Sequence, residues 1–206
     1  YMANTTFSGP VRSLNGFETV SKNATTGAIT ITSGSKMAVE AAASAGIEGT
    51  AAVYVTQVER FKSDTDTNVN VVKTTIMIDL TGLRSTAAGD IIGKNGSGVA
   101  YIGQVTTANQ GTVFGVTMQC LETPAGGDPD INLHSATEGT GVEDTPISDL
   151  TETLIINSGD LAAGSFVAGG DIAADQFLYL TAGATTDADY TAGRLLITIT
   201  GYDVAS

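Results

Sequence analysis

Val71-Val72-Lys73-Thr74-Thr75-Ile76-Met77-Ile78-Asp79-Leu80 is the stretch on which the fold reading turns. It is dominated by Val, Ile and Thr. Their branched Cβ stiffens χ1 and favours a pleated, half-buried backbone over a helix. Thr81-Gly82 closes it with a turn signal. The same texture recurs at 28–32, 51–61, 99–106, 112–121, 131–134, 153–156, 176–180 and 195–200. Between these runs lie Gly93-Lys94-Asn95-Gly96, Ala108-Asn109-Gln110-Gly111, Ala125-Gly126-Gly127-Asp128-Pro129 and Asn157-Ser158-Gly159-Asp160, all rich in turn formers. Nine to eleven short strands with regular punctuation predict a mainly all-β chain, a β-sandwich or jelly roll. The repeated strand–helix–strand pattern of a parallel sheet is missing. One Ala-rich segment, 37–46, reads as a helix ended by Gly46, with a small-residue strand as the alternative.

The composition fits that reading. Thr 31, Ala 26, Gly 25 and Ser 14 make nearly half of the 206 residues. In Leu196-Ile197-Thr198-Ile199-Thr200 the threonines take one face and the isoleucines the other. Threonine thus replaces Lys and Glu on the solvated side. This explains why only 15% of residues are charged. Mean hydropathy is +0.15, too high for a disordered chain. The first 94 residues hold eight basic and eight acidic side chains, whereas 95–206 hold Arg194 against fourteen acids. The whole net charge of −13 therefore sits in the second part. Such a surface repels phosphates and anionic lipid, so no nucleic-acid or membrane partner is expected. No apolar run approaches the roughly 18 residues of a spanning helix. Tyr1–Thr6 shows neither the basic nor the apolar region of a secretory signal.

Residues 1–48 read as an N-terminal arm and attachment region, and 49–206 as the β-sandwich domain. In segment 5–17, Phe7, Pro10, Val11, Arg12, Leu14 and Phe17 are spaced irregularly around two turn dipeptides. Such an extended arm needs a partner to bury its side chains.

The chemistry-bearing residues are few. Cys120 is the only cysteine, so no intrachain disulfide exists, a reducing cytoplasm fits, and a buried small hydrophobe is expected. His134 is the only histidine, and with Ile131 and Leu133 packed inward it reads as a solvated strand residue. No Gly-x-Ser-x-Gly elbow is present, and 93–98 lacks phosphate-loop spacing and reads as a hairpin turn. Asp128, Asp130, Glu138, Glu143 and Asp144, with Asp187 and Asp189, read as solvated acidic loops. Structural calcium is the lesser reading, because the spacing fits no EF-hand. No catalytic residue, cofactor, metal or small-molecule substrate is assigned, and the chain reads as a non-enzyme.

Two segments carry a family likeness. Leu178-Tyr179-Leu180-Thr181-Ala182-Gly183, with Asp189-Tyr190-Thr191-Ala192-Gly193-Arg194-Leu195-Leu196-Ile197-Thr198-Ile199-Thr200-Gly201-Tyr202, resembles the last two strands of small tailed-bacteriophage virion proteins. Phe7-Ser8-Gly9-Pro10-Val11-Arg12-Ser13-Leu14-Asn15-Gly16-Phe17 resembles their opening arm, and 76–103 is similar in style. The resemblance implies a capsid decoration (cement) protein, a β-rich homotrimer on the major capsid protein. It would be assembled in the host cytoplasm and displayed on the virion surface. A tail or other head-associated subunit, and a carbohydrate-binding module, are the alternatives. The absence of Trp counts against the latter.

Overall fold

A computed structural model describes residues 18–22, 29–34, 44, 46–47, 52–62, 68–96 and 98–205. The chain divides into two compact units, Tyr1–Met37 and Ala38–Ser206. In the first, β1 (Glu18–Lys22) pairs antiparallel with β2 (Ile29–Gly34), with a bulge between Thr19 and Val20. Segment 5–17, and with it Phe7, Pro10, Val11, Arg12, Leu14 and Phe17, lies outside the described residues.

The second unit is all-β and sandwich-like. Its described strands are β3 (Ala52–Lys62), β4 (Asn68–Asp79), β5 (Arg84–Ser85), β6 (Gly103–Val105), β7 (Thr112–Ala125), β8 (Ile131–Ala136), β9 (Glu152–Ile156), β10 (Phe166–Gly169), β11 (Gln176–Ala182), β12 (Ala188–Asp189) and β13 (Ala192–Ala205). A five-stranded antiparallel sheet runs β10-β7-β13-β4-β3, and a four-stranded one runs β6-β11-β8-β9. β5 and β12 form a small clasp.

β13 lies at the centre of the larger sheet. It pairs along its full length with β4 and along most of it with β7. Its alternation is as expected: Leu195, Ile197 and Ile199 are buried, while Leu196, Thr198 and Thr200 lie on the other side. β4 alternates likewise, burying Val72, Thr74, Ile76 and Ile78, and Leu80 continues the row just beyond it. Asp79 Oδ1 accepts the Thr81 amide at 3.0 Å, and Gly82 takes φ +84°, so the turn closes as its residues require. The register of β13 slips at Gly201, where a Cβ would run into the Gln110 carbonyl oxygen. Only glycine allows that approach.

In the smaller sheet the inner strand β11 is covered on both faces. Leu178, Tyr179, Leu180, Thr181 and Ala182 of β11 are all at most 1% exposed. Leu133 and Leu180 are opposite each other and join Ile78, Met118 and Ile197 in one core. The opposite face carries Tyr179, edge-on to Tyr101, which also packs on Phe177. Its hydroxyl donates to the Glu138 carbonyl at 2.7 Å and accepts the Gly141 amide at 3.2 Å. These bonds fasten the 137–150 loop over the sheet.

Several local expectations are corrected. Of 99–106 only Gly103–Val105 is strand, because Val99 bridges Val142 and the stretch follows a loop path. Residues 108–111 belong to a one-turn helix, α1 (Thr107–Gln110), not a plain turn. Thr106 caps it by accepting the Asn109 amide at 3.2 Å, and Gly111 ends it at φ +66°. Asn95-Gly96 does turn, but its flanks do not form a hairpin, since Gly93 bridges Arg84 and Val99 bridges Val142. Most of the expected helix 37–46 is outside the described residues. Its described part is not helical: the Ser44 amide donates to Tyr101 and the Gly46 amide to Val99, next to fully buried Ile47.

Candidate functional site

His134 is not solvated. It is 8% exposed, and its Nδ1 lies 2.8 Å from Glu152 Oε2. Strand alternation does place it opposite Ile131 and Leu133, but that second face is also covered. The pair links β8 to β9 side chain to side chain. Among the described residues no hydroxyl or thiol is hydrogen-bonded to the ring, so no triad is assembled around it. Cys120 is buried, as expected. Burial raises its thiol pKa, and Sγ lies 3.2 Å from the Glu122 carbonyl oxygen. A thiol held protonated in this way is a poor nucleophile.

The expected solvated acidic loops divide into distinct roles. Asp128 is 1% exposed. Its Oδ2 accepts the Ala184 amide at 2.5 Å, its amide donates to Ser85 Oγ at 2.9 Å, and its carbonyl accepts the Tyr190 hydroxyl at 2.7 Å. It is a buried organiser of the turn, not a surface charge. Glu143 is 8% exposed, and burial raises its pKa. Glu138 accepts both the amide and the hydroxyl of Thr151, which lowers its pKa. Asp187 and Asp189 hold the Arg84 guanidinium at 2.6 and 2.9 Å. Asp130 has one buried carboxylate oxygen without a partner, and burial, then Asp128 and Asp160, raise its pKa. No group of three or more His, Cys, Asp or Glu among the described residues is arranged to hold a metal ion.

A cleft of about 370 Å³ opens beside this region, between Arg84, Asp90, Asn95, Glu143, Asp144 and Asp187. Its polar groups are largely engaged with one another. Arg84 is bound by two carboxylates, and Asp90 Oδ2 accepts the Thr86 hydroxyl and the Ala87 amide, each at 3.0 Å.

The other distinctive surface is the outer face of the five-stranded sheet. Seven large hydrophobic side chains are exposed among the described residues, and five of them, Met77, Phe114, Leu121, Phe166 and Tyr202, project from this face. The register arranges it in rows across β10, β7, β13 and β4. Phe166, Gln119, Leu196 and Met77 form a bulky row, and Ala168, Thr117, Thr198 and Thr75 a small one. Beyond the small row come Gly115, Thr200 and Lys73. Beyond the bulky row, Arg194 stands 3.4 Å from Asp79 and 3.6 Å from Glu122. Phe114 and Tyr202 pack at the far end with ring centroids 6.2 Å apart. Across β10, β7, β13 and β4 the described part of this face carries two cations, Lys73 and Arg194, against two anions, Asp79 and Glu122. The sequence signal for it was the apolar residue on the threonine side of each strand, which alternation alone does not single out.

No protein-family model, curated protein or solved structure matches the chain.

Proposed function

We propose that the protein is a virion structural subunit, a decoration (cement) protein that binds the major capsid protein on the outer shell and stabilises it. The observation that carries this reading is the open outer sheet face with its five exposed large hydrophobics. Five exposed large hydrophobics gathered on one sheet face mark an interaction site on a folded domain. Depletion of charge, with Phe, Tyr and Met present, is the composition of an interface core. The likeness of 178–183 and 189–202 to tailed-phage virion proteins points the same way and implies a trimer. The arm residues Phe7, Pro10, Val11, Arg12, Leu14 and Phe17 are the second proposed contact. No catalytic step is assigned.

The test is co-sedimentation of the purified full chain with tailed-phage heads assembled without it. Saturable pelleting, with heads made more resistant to heat, is the expected result. Absence of binding to heads, with ring or tube assembly of the isolated protein, would transfer the reading to a tail subunit. The exposed Phe114–Tyr202 pair favours one further reading, a carbohydrate-binding surface, because sugar rings stack on such faces. Glycan-array binding lost in Tyr202→Ala would support it.

A further inference from the structure

We infer that the outer face of the five-stranded sheet pairs with the same face of a second copy of this chain, through a two-fold axis lying across the strands. The inference rests on reading that face as an assembly surface and names a second copy as its occupant in the free protein, in place of the three-fold assembly that the phage likeness implies.

The rows are self-complementary under one operation. An axis above the Ile76–Ile197–Met118 row reverses strand direction and keeps each strand over its own copy. The bulky row Phe166–Gln119–Leu196–Met77 then lies over the small row Ala168–Thr117–Thr198–Thr75 of the second copy, and the reverse. Large against small is how facing layers interdigitate at native density. The same operation sets Lys73 over Asp79, since both are three residues from Ile76. Each dimer gains two such contacts. Packed sheets cross at about 30°. At about 10 Å from the axis, that rotation displaces the pair by about 5 Å, within the reach of a lysine side chain.

The other two-fold arrangement, with the axis along β13, sets bulky row on bulky row and Asp79 over Glu122, so it is opposed by both shape and charge. Two copies also avoid their general repulsion in this way. On the four strands β10, β7, β13 and β4, Lys73 and Arg194 offset Asp79 and Glu122, so this part of the paired surfaces adds no net repulsion. Four strands about 4.8 Å apart and eight residues long give a flat footprint of about 500 Å² per copy. That falls at the low end of specific interfaces, so the dimer is expected to be reversible in the micromolar range.

Sedimentation equilibrium of the full chain from 1 to 200 µM, at about 0.15 M salt, is the test. The expected result is a monomer–dimer equilibrium. Thr198→Arg fills the small row and abolishes it. Lys73→Met and Asp79→Asn each raise Kd about threefold to tenfold, and the double variant raises it no further than either alone, the non-additivity of a direct pair. Asn at 79 retains the acceptor for the Thr81 amide, so the turn is kept. Circular dichroism checks that each variant is folded. A wild type that stays monomeric at 200 µM yet pellets with phage heads overturns the second copy and leaves the assembly surface standing. A trimer overturns the two-fold pairing in favour of the arrangement the phage likeness implies. A dimer indifferent to Thr198→Arg overturns this face as its site. A monomer that binds no heads overturns both readings.

Discussion

The two main sheets of the Ala38–Ser206 unit solve the same burial problem differently. The larger sheet has one dry face and one open face, so β4 and β13 alternate strictly. In the smaller sheet β11 is covered on both sides, so it is a continuous buried run from Leu178 to Ala182. A strand with two dry faces must also satisfy every polar atom it buries. The smaller sheet and its loops meet most of this demand with Tyr179 on Glu138 and Gly141, Tyr190 on Asp128, and His134 on Glu152, while Thr181 Oγ1 on β11 is buried without a partner among the described residues. The open face of the larger sheet faces no such demand. It carries threonine, apolar and a few charged side chains and stands open to solvent.

That contrast can be broken in graded ways. Ile197→Ala removes a fully buried side chain from the shared core and should cost about 2–5 kcal/mol by urea unfolding. Tyr179→Phe leaves the Glu138 carbonyl without its donor and the Gly141 amide without its acceptor. It should cost about 1–3 kcal/mol and increase hydrogen exchange at Gly141. Asp130→Asn should stabilise the protein. The folded pKa of Asp130 is raised, so its contribution is most favourable below the carboxylate's unfolded pKa and is lost as pH rises through the folded value. The amide variant should therefore raise Tm by a few degrees, about 2–4 °C, at pH 7. The gain should vanish in acid, and a Tm difference independent of pH would contradict it. Thr198→Ala, one residue from Ile197 but on the open face, should cost under about 1 kcal/mol in the same unfolding experiment. Equal costs for Ile197→Ala and Thr198→Ala would mean that the two faces do not differ as described.

Where one face is open, the sequence was legible. The β4 run and Leu196–Thr200 showed their strands and, for the latter, the facing of each side chain, because a period of two is written directly into residue type. Cys120 was likewise legible as a buried hydrophobe. β10 was not, since Phe166–Gly169 is four residues between glycine-rich stretches, and β5 and β12 are two residues each. His134 was misread because alternation tells that a residue is opposite Ile131 and Leu133, but not whether a loop covers that side. Asp128 was misread for a related reason. A carboxylate in a Gly-rich loop looks solvated until Ser85, Ala184 and Tyr190 are brought to it across 43 to 62 residues of chain.

The sequence by itself determined the all-β class, the strand centres and the uneven charge. These follow from branched side chains, turn formers and composition, which act locally. Only the tertiary structure decided that β13 is central, that β11 is dry on both faces, and that the larger sheet keeps an open face with bulky and small rows. Those properties depend on which strands become neighbours. That choice is made by burial summed over the whole core, and no single segment carries it.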